Sequence, residues 1–218
     1  MALGLDAAGR KRWVGIALRD GRFEAAHLFA TLRDAVSREE FACIGVDIPI
    51  LRGDVFPRPA DVAARRRVGP ARMSSVFLAP PLAVFDADEF AAAQEVGLEL
   101  IGHGLSRQTF GLREKVRQAA EFAGDPRVYE VHPEVSFREM DDGPLPHAKK
   151  SWAGQLHRRR LLAGAGIVLP DDLGIANVVP VDDVLDAASA AWTADRIARG
   201  CAVRLPDDVP DSPDAIWC

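Results

Sequence analysis

The sequence predicts an α/β fold: a mixed five-stranded sheet of order 3-2-1-4-5, flanked by helices, with a long insertion after the fourth strand. Three observations support this. Short apolar runs near the amino terminus are separated by turn signals, the pattern of an antiparallel meander. A further run, CIGVDI at residues 43–48, is apolar without alternation, as expected of a strand buried on both faces and paired in parallel. A helical stretch at residues 182–199 carries a face of small residues that suits close approach to a sheet.

The elements follow in order. Residues 2–5 form the first strand and lead to Asp6 and the turn Ala7-Ala8-Gly9. Residues 13–18 form the second strand and 23–29 the third, reversed at Asp20-Gly21, where both residues tolerate positive φ. Thr31 is the expected cap of a helix over LRDAVSREEF, which precedes the fourth strand. Residues 49–124 read as the insertion: a Pro- and Arg-rich loop, a helix over DVAARRRVG, the loop SSVFLAPPLAVF, a helix at 87–100 and another reaching Phe122. Residues 127–132 (RVYEVH) give the fifth strand and 151–163 a helix. The last helix ends at Gly200, where a left-handed cap is expected. No repeat or long linker divides the chain, so one domain over residues 1–218 is expected.

Composition narrows the class. The chain has 218 residues, 48% hydrophobic and 27% charged, which is ordinary for a folded protein with a sizeable core and wrong for a disordered one. No apolar run reaches membrane-span length, and the start MALGLDAAGRKRW lacks the basic-then-apolar order of a signal peptide. Cys43, Cys201 and Cys218 have no CxxC spacing and read as reduced thiols, so a cytoplasmic protein with no membrane partner is expected. The net charge of −5 argues against a generic nucleic-acid binder. Its distribution is uneven, however. From Ala165 onward there are ten Asp against three Arg, whereas the middle carries Arg65, Arg66, Arg67, Lys149, Lys150 and Arg158 to Arg160. An acidic metal site flanked by phosphate-binding groups fits that pattern; so do mixed solvated surfaces.

Strands, helices and insertion in this order are the element order of the ribonuclease-H-like fold. There the first and fourth strands are neighbours, so Asp6 and Asp47 should face one another across a crevice at the strand ends. Paired carboxylates at such range need a proton or a cation, and magnesium suits hard oxygen ligands. Turn and capping chemistry explains either Asp alone equally well. In the last helix, Asp182 is a candidate cap and Asp183 fits the first turn, but Asp186 lies a turn deeper. Asp183 and Asp186 share a face with Ala187, Ala190 and Ala194, so they should point inward toward the strand ends. Alternation on the fifth strand puts Glu130 and His132 on one face, with Glu134 just beyond; they are candidates to orient a ligand or a water, or to bond one another structurally.

At these residues the sequence resembles the DUF429 group, described as predicted nucleases of the ribonuclease-H fold. The matching segments include GLDAAGRKRWVGIAL, IGVDIPI, GLSRQTFGL, VYEVHPEVSF, KKSWAGQLHRRRLL and DDVLDAASAAW. The acid arrangement is also similar to that of Holliday-junction resolvases, which carry acids on the first and fourth strands and a DxxD pair on the last helix. Asp6, Asp47 and Asp183-Val-Leu-Asp186 match those positions; an Asp where resolvases have Glu, and the large insertion, depart from them.

The resulting expectation is phosphodiester hydrolysis with two magnesium or manganese ions held by Asp6, Asp47, Asp183 and Asp186, aided by Glu130. Arg65, Lys149, Lys150 and Arg158 are candidate phosphate contacts, and Ser74, Ser75, Ser106, Gln108, His132 and Glu134 candidate substrate contacts. Nucleic acid of unspecified type is the expected partner. Two rivals remain open: hydrolysis or transfer on a small phosphorylated molecule, and a non-catalytic binding module.

Overall fold

Backbone pairing at the amino terminus sets the frame. β1 (Ala2–Ala8), β2 (Arg12–Arg19) and β3 (Arg22–Phe29) run antiparallel in a computed structural model that describes residues 1–141, 143–209 and 214–218. Asp20 (φ 53°) and Gly21 (φ 74°) make the tight reversal between β2 and β3. Thr31 caps α1 (Leu32–Val36) through a reciprocal box: its hydroxyl accepts from the Asp34 amide at 3.1 Å, and the Asp34 carboxylate accepts from the Thr31 amide at 2.9 Å. The chain returns as β4 (Cys43–Val46), parallel to β1, and later as β5 (Val128–Glu130), parallel to β4. The sheet order is β3-β2-β1-β4-β5, as the sequence predicts.

α9 (Val181–Ala198) lies across β1 and β4 on one face of the sheet. Its Ala187, Ala190, Ala191 and Ala194 are fully buried, and the backbone of the first three lies against Gly4 and Gly45 of the sheet. A Cβ on Gly4 would collide with the Ala191 nitrogen and the Ala187 carbonyl; one on Gly45 would sit 2.7 Å from the Ala190 carbonyl oxygen. Backbone therefore packs on backbone, which fixes the height of α9 over the strand ends. Gly4→Ala is expected to cost about 2–3 kcal/mol, because no flexible side chain can yield. Urea denaturation checks this, and a loss below ~1 kcal/mol would mean that the helix can lift.

Residues of the insertion cover the opposite face. Leu3, Leu5, Ile44 and Val46 pack with Phe85, Val116 and Ala119, contributed by α3 (Leu82–Asp86) and α6 (Arg113–Ala120). α2 (Pro59–Val68), α4 (Phe90–Ile101) and α5 (Arg107–Gly111) complete this segment. α3 falls where the sequence suggests a loop; Pro81 stands at its amino-terminal cap and Val84 and Phe85 enter the core.

Two further differences bear on the site. β5 stops at Glu130 rather than at residue 132, and α7 (Pro133–Asp141) starts almost at once, with Pro133 supplying a preset φ at its first position. β6 (Arg204–Leu205) pairs with β7 (Ile216–Trp217) in a second small sheet too short to leave a sequence pattern. α8 (Trp152–Gly164) is capped by Ser151, whose hydroxyl accepts from the Gly154 amide at 3.1 Å. α9 ends before Gly200 at φ 69°, the left-handed residue expected there. Among the described residues, no helix is long and apolar enough to cross a membrane.

Candidate metal centre

Register brings the first two acids together. Leu5 pairs with Val46, and the Asp47 amide donates to the Leu5 carbonyl at 2.9 Å, so Asp47 leaves the end of β4 beside Asp6, which β1 still holds against Val14 of β2. Asp186 reaches them from the inward face of α9. One carboxylate oxygen from each of Asp6, Asp47 and Asp186 lies within 4.8 Å of the other two. Asp186 is 3% exposed and Asp6 7%, so neither charge is relieved by bulk water. The three acids look into a cleft of about 730 Å³.

Such a cluster is electrostatically unfavourable unless something neutralises it. Burial holds the Asp6 carboxyl well above the usual range, and Asp47, Asp186 and Asp183 push it further. Burial and then Asp186 raise Asp47 in the same way. For Asp186, burial outweighs the lowering by Lys149, whose Nζ is 2.7 Å from Asp186 Oδ2. Burial would depress the Lys149 ammonium, but Asp186, Asp47 and Asp6 more than offset it, so the group stays charged. Asp183, half-buried at the rim, is raised to about 6 by burial and by Asp182.

These shifts set a pH dependence. Carboxyls whose folded values are raised take up protons on folding, so their contribution is complete below the unfolded value near ~3.9 and is lost as pH rises through the folded values. In chelator, the melting temperature should therefore fall between pH 5 and 7.5, through the region where Asp183 titrates at about 6. Millimolar magnesium should reverse the fall, and Asp6→Asn should flatten it. Scanning fluorimetry with and without chelator checks this; a profile that rises with pH, or ignores metal, contradicts it.

Most of the expected residues line this cleft: the four aspartates, with Glu130, His132, Glu134, Lys149 and Lys150. Ser74, Ser75 and Gln108 face it from the insertion. Several expected roles need correction. Asp183 lies at the cleft but outside the close trio. Asp182 does not cap α9, whose cap position is Pro180; it faces Lys150 at 3.7 Å. Arg65 turns away and donates to the Val76 carbonyl at 2.7 Å, and Ser106 caps α5 by accepting from the Thr109 amide at 2.9 Å. Arg158 is buried and spends its guanidinium on protein groups. His132 lies past the end of β5, yet reaches the cleft with Nδ1 buried and unbonded among the described residues; burial lowers its pKa, which keeps the ring neutral.

A family model described as "Protein of unknown function (DUF429)" matches residues 4–211. The chain belongs to the DUF429 family. A search of curated proteins and a search of solved structures each return no significant match.

In this DUF429 chain two buried ion-pair networks hold the cleft walls. In the first, Arg58 bridges Asp61 and Glu130, with Nη2 at 2.5 Å from Asp61 Oδ1 and 2.7 Å from Glu130 Oε1. Glu130 Oε2 also accepts from Arg58 Nη1 at 3.0 Å and from the Ile50 amide at 2.8 Å. Glu130 is thus committed to tying β5 to the insertion and does not join the acid trio. In the second, Glu134 Oε2 accepts from Arg158 Nη2 at 2.7 Å, while Arg72 lies 3.5 Å from Glu134 Oε1 and donates to the Leu145 carbonyl at 3.0 Å. Arg158 also donates to the His147 carbonyl at 3.4 Å. Together they hold the segment that leads into Lys149.

Sequence reasoning missed Arg58, Asp61 and Arg72 as parts of the site. The first two left one signal, an arginine three residues before an aspartate at a helix start. Lys115 left none: it is buried, donates to the Arg12 carbonyl at 2.6 Å, sits 4.2 Å over the Trp13 ring, and is lowered by burial to about 8, with Asp6 opposing.

Proposed function

We propose that this DUF429 chain is a divalent-metal-dependent nuclease with a ribonuclease-H-like core, acting on phosphodiester bonds at the Asp6–Asp47–Asp186 cluster. The convergence within 4.8 Å of three carboxylates, buried Asp6 and Asp186 and half-buried Asp47, from β1, the end of β4 and α9, carries the reading. Hard oxygen donors in a buried cluster with one resident ammonium fit magnesium or manganese better than a softer ion. Bound there, such an ion would supply Lewis acidity at the scissile phosphate and its attacking water.

The chain's own residues divide the remaining tasks. Asp6, Asp47 and Asp186 fix the position of positive charge. Lys149 and Lys150, at the same cleft, act as point charges for phosphate oxygens. Asp183, at the cleft and raised to about 6 in the metal-free chain, offers a carboxyl for proton exchange. Arg58 and Arg158 act at a distance, by holding Glu130 and Glu134 in the walls.

The test is cleavage of RNA, DNA and branched DNA in magnesium and in manganese, with chelator as control. Metal-dependent cleavage that Asp47→Asn abolishes is the expected result, and no cleavage of any member defeats the proposal. The cleft volume of about 730 Å³ also lies in the range of small-molecule sites, which favours a nucleotide-like phosphate ester as the second reading. Turnover of mononucleotides in preference to oligonucleotides would establish it instead.

A further inference from the structure

The start of α8 carries a feature that the acid cluster does not use. Between residues 149 and 160 the sequence has five basic residues and no Asp or Glu, in a chain of net charge −5. Arg158 among them is buried, whereas Lys150, Arg159 and Arg160 are exposed and Lys149 is half-buried. Trp152, in the first turn, is 82% exposed, and Leu156 follows it one turn later on the same face. Among the described residues Trp152 stacks on no ring and carries no cation over its face. An indole so placed leaves a large apolar surface in water.

The ring's base is held rigidly. The Ala148 carbonyl accepts from the Ser151 amide at 3.0 Å and from its hydroxyl at 2.8 Å. Gly154 packs its Cα against that same carbonyl, where a side chain would collide. Trp152 lies three positions after Lys149, so the Cα atoms lie within about 11 Å. Lys149 in turn touches Asp186. An exposed indole therefore stands on the chain next to two lysines that line the acid cleft, within a nucleotide or two of it along a bound strand. That juxtaposition suits a polymer with regularly spaced phosphates and flat bases better than a protein surface.

We infer that Trp152 is a stacking platform for an unpaired base of a nucleic-acid strand whose backbone passes Lys150 and Lys149 toward the acid cluster. The substrate class is then single-stranded or frayed nucleic acid. In its choice of ligand this rests on the nuclease reading of the cleft. Base–aromatic stacking contributes about 1–3 kcal/mol per base, whereas a blunt duplex keeps its bases stacked on one another.

The experiment measures fluorescence anisotropy of labelled 12-nucleotide single strands and of a blunt 12-base-pair duplex, in calcium buffer, with the full chain. Trp152→Ala is expected to weaken single-strand binding by about 5- to 150-fold, the equivalent of that stacking energy. Trp152→Phe should keep affinity within about threefold, and duplex binding should change by less than about threefold in both. Trp152 is on the surface, so unfolding curves should coincide. Equal loss on both substrates, unchanged single-strand binding, or no binding by the unsubstituted chain each overturns the inference. A dimer that Trp152→Ala dissociates, with oligonucleotide binding unaltered, would assign the patch to a second copy of the chain and also overturn it. Cleavage that persists alongside unaltered affinity in Trp152→Ala sinks this proposal alone. Trp152-dependent binding by a chain that cleaves nothing sinks the nuclease reading alone.

Discussion

Asp186→Asn is expected to lower metal-dependent turnover by on the order of 10³-fold or more, equivalent to about 4 kcal/mol of barrier, while the chain stays folded. The amide keeps the size and hydrogen-bonding reach of the carboxylate and removes only its charge. That charge is the innermost of the three, 3% exposed, and one of its oxygens lies within 4.8 Å of Asp6 and Asp47. Stability should hold or rise in the absence of metal, because one of three mutually repelling groups is gone. Lys149 loses its partner but has a side chain 43% exposed, so it rehydrates. Asp183→Asn is the internal control: half-buried and outside the trio, it should cost less, about 10²-fold, through proton exchange alone. Steady-state kinetics on the two variants decide, and retention of activity within tenfold by Asp186→Asn contradicts the account.

Arg58→Ala should destabilise the fold by about 3–5 kcal/mol, since breaking a buried pair by removing one partner leaves uncompensated charge behind. Here two carboxylates are stranded at once, because Arg58 is 1% exposed and bonds both Asp61 and Glu130. Asp61 is already raised by burial even with Arg58 present, so its charge has no other refuge than a proton. The damage extends toward the acid cluster. Glu130 accepts from the Ile50 amide, three residues after Asp47, and Asp61 accepts from the Ala79 amide at 2.8 Å. Loosening these frees the chain that carries Asp47, so metal affinity should fall with stability. Urea unfolding measures the first and metal titration the second; a stability loss below ~1 kcal/mol would show that the network is replaceable.

The sheet and the acid trio were legible in the sequence because both depend on patterns with a short physical reach. Alternation, turn residues and the Thr31 cap specify the meander, and the unbroken apolar run at β4 specifies its parallel place beside β1. From that place Asp6 and Asp47 follow, and the alanine face of α9 supplies Asp186. What lay hidden depends on partners far apart in the chain. Arg58 reads as one more arginine in a proline-rich loop until Glu130, 72 residues away, is brought to it. Arg158 reads as a basic surface until Glu134 buries it, and Arg65 as a phosphate contact until the Val76 carbonyl claims it. β6 and β7, two residues each, carry too few positions to show a period. α7 was masked because Glu130, His132 and Glu134 read as one strand and its exit, although Pro133 marks a helix start as readily as a strand end.

The most direct test is calorimetric titration of manganese into the metal-free chain near pH 7, repeated in two buffers of different ionisation enthalpy. Carboxyls held above their usual range by burial and mutual repulsion must give up protons when a cation arrives. The account predicts saturable binding accompanied by proton release, with both lost in Asp47→Asn. Absence of binding, or binding that Asp47→Asn leaves unchanged, would contradict it.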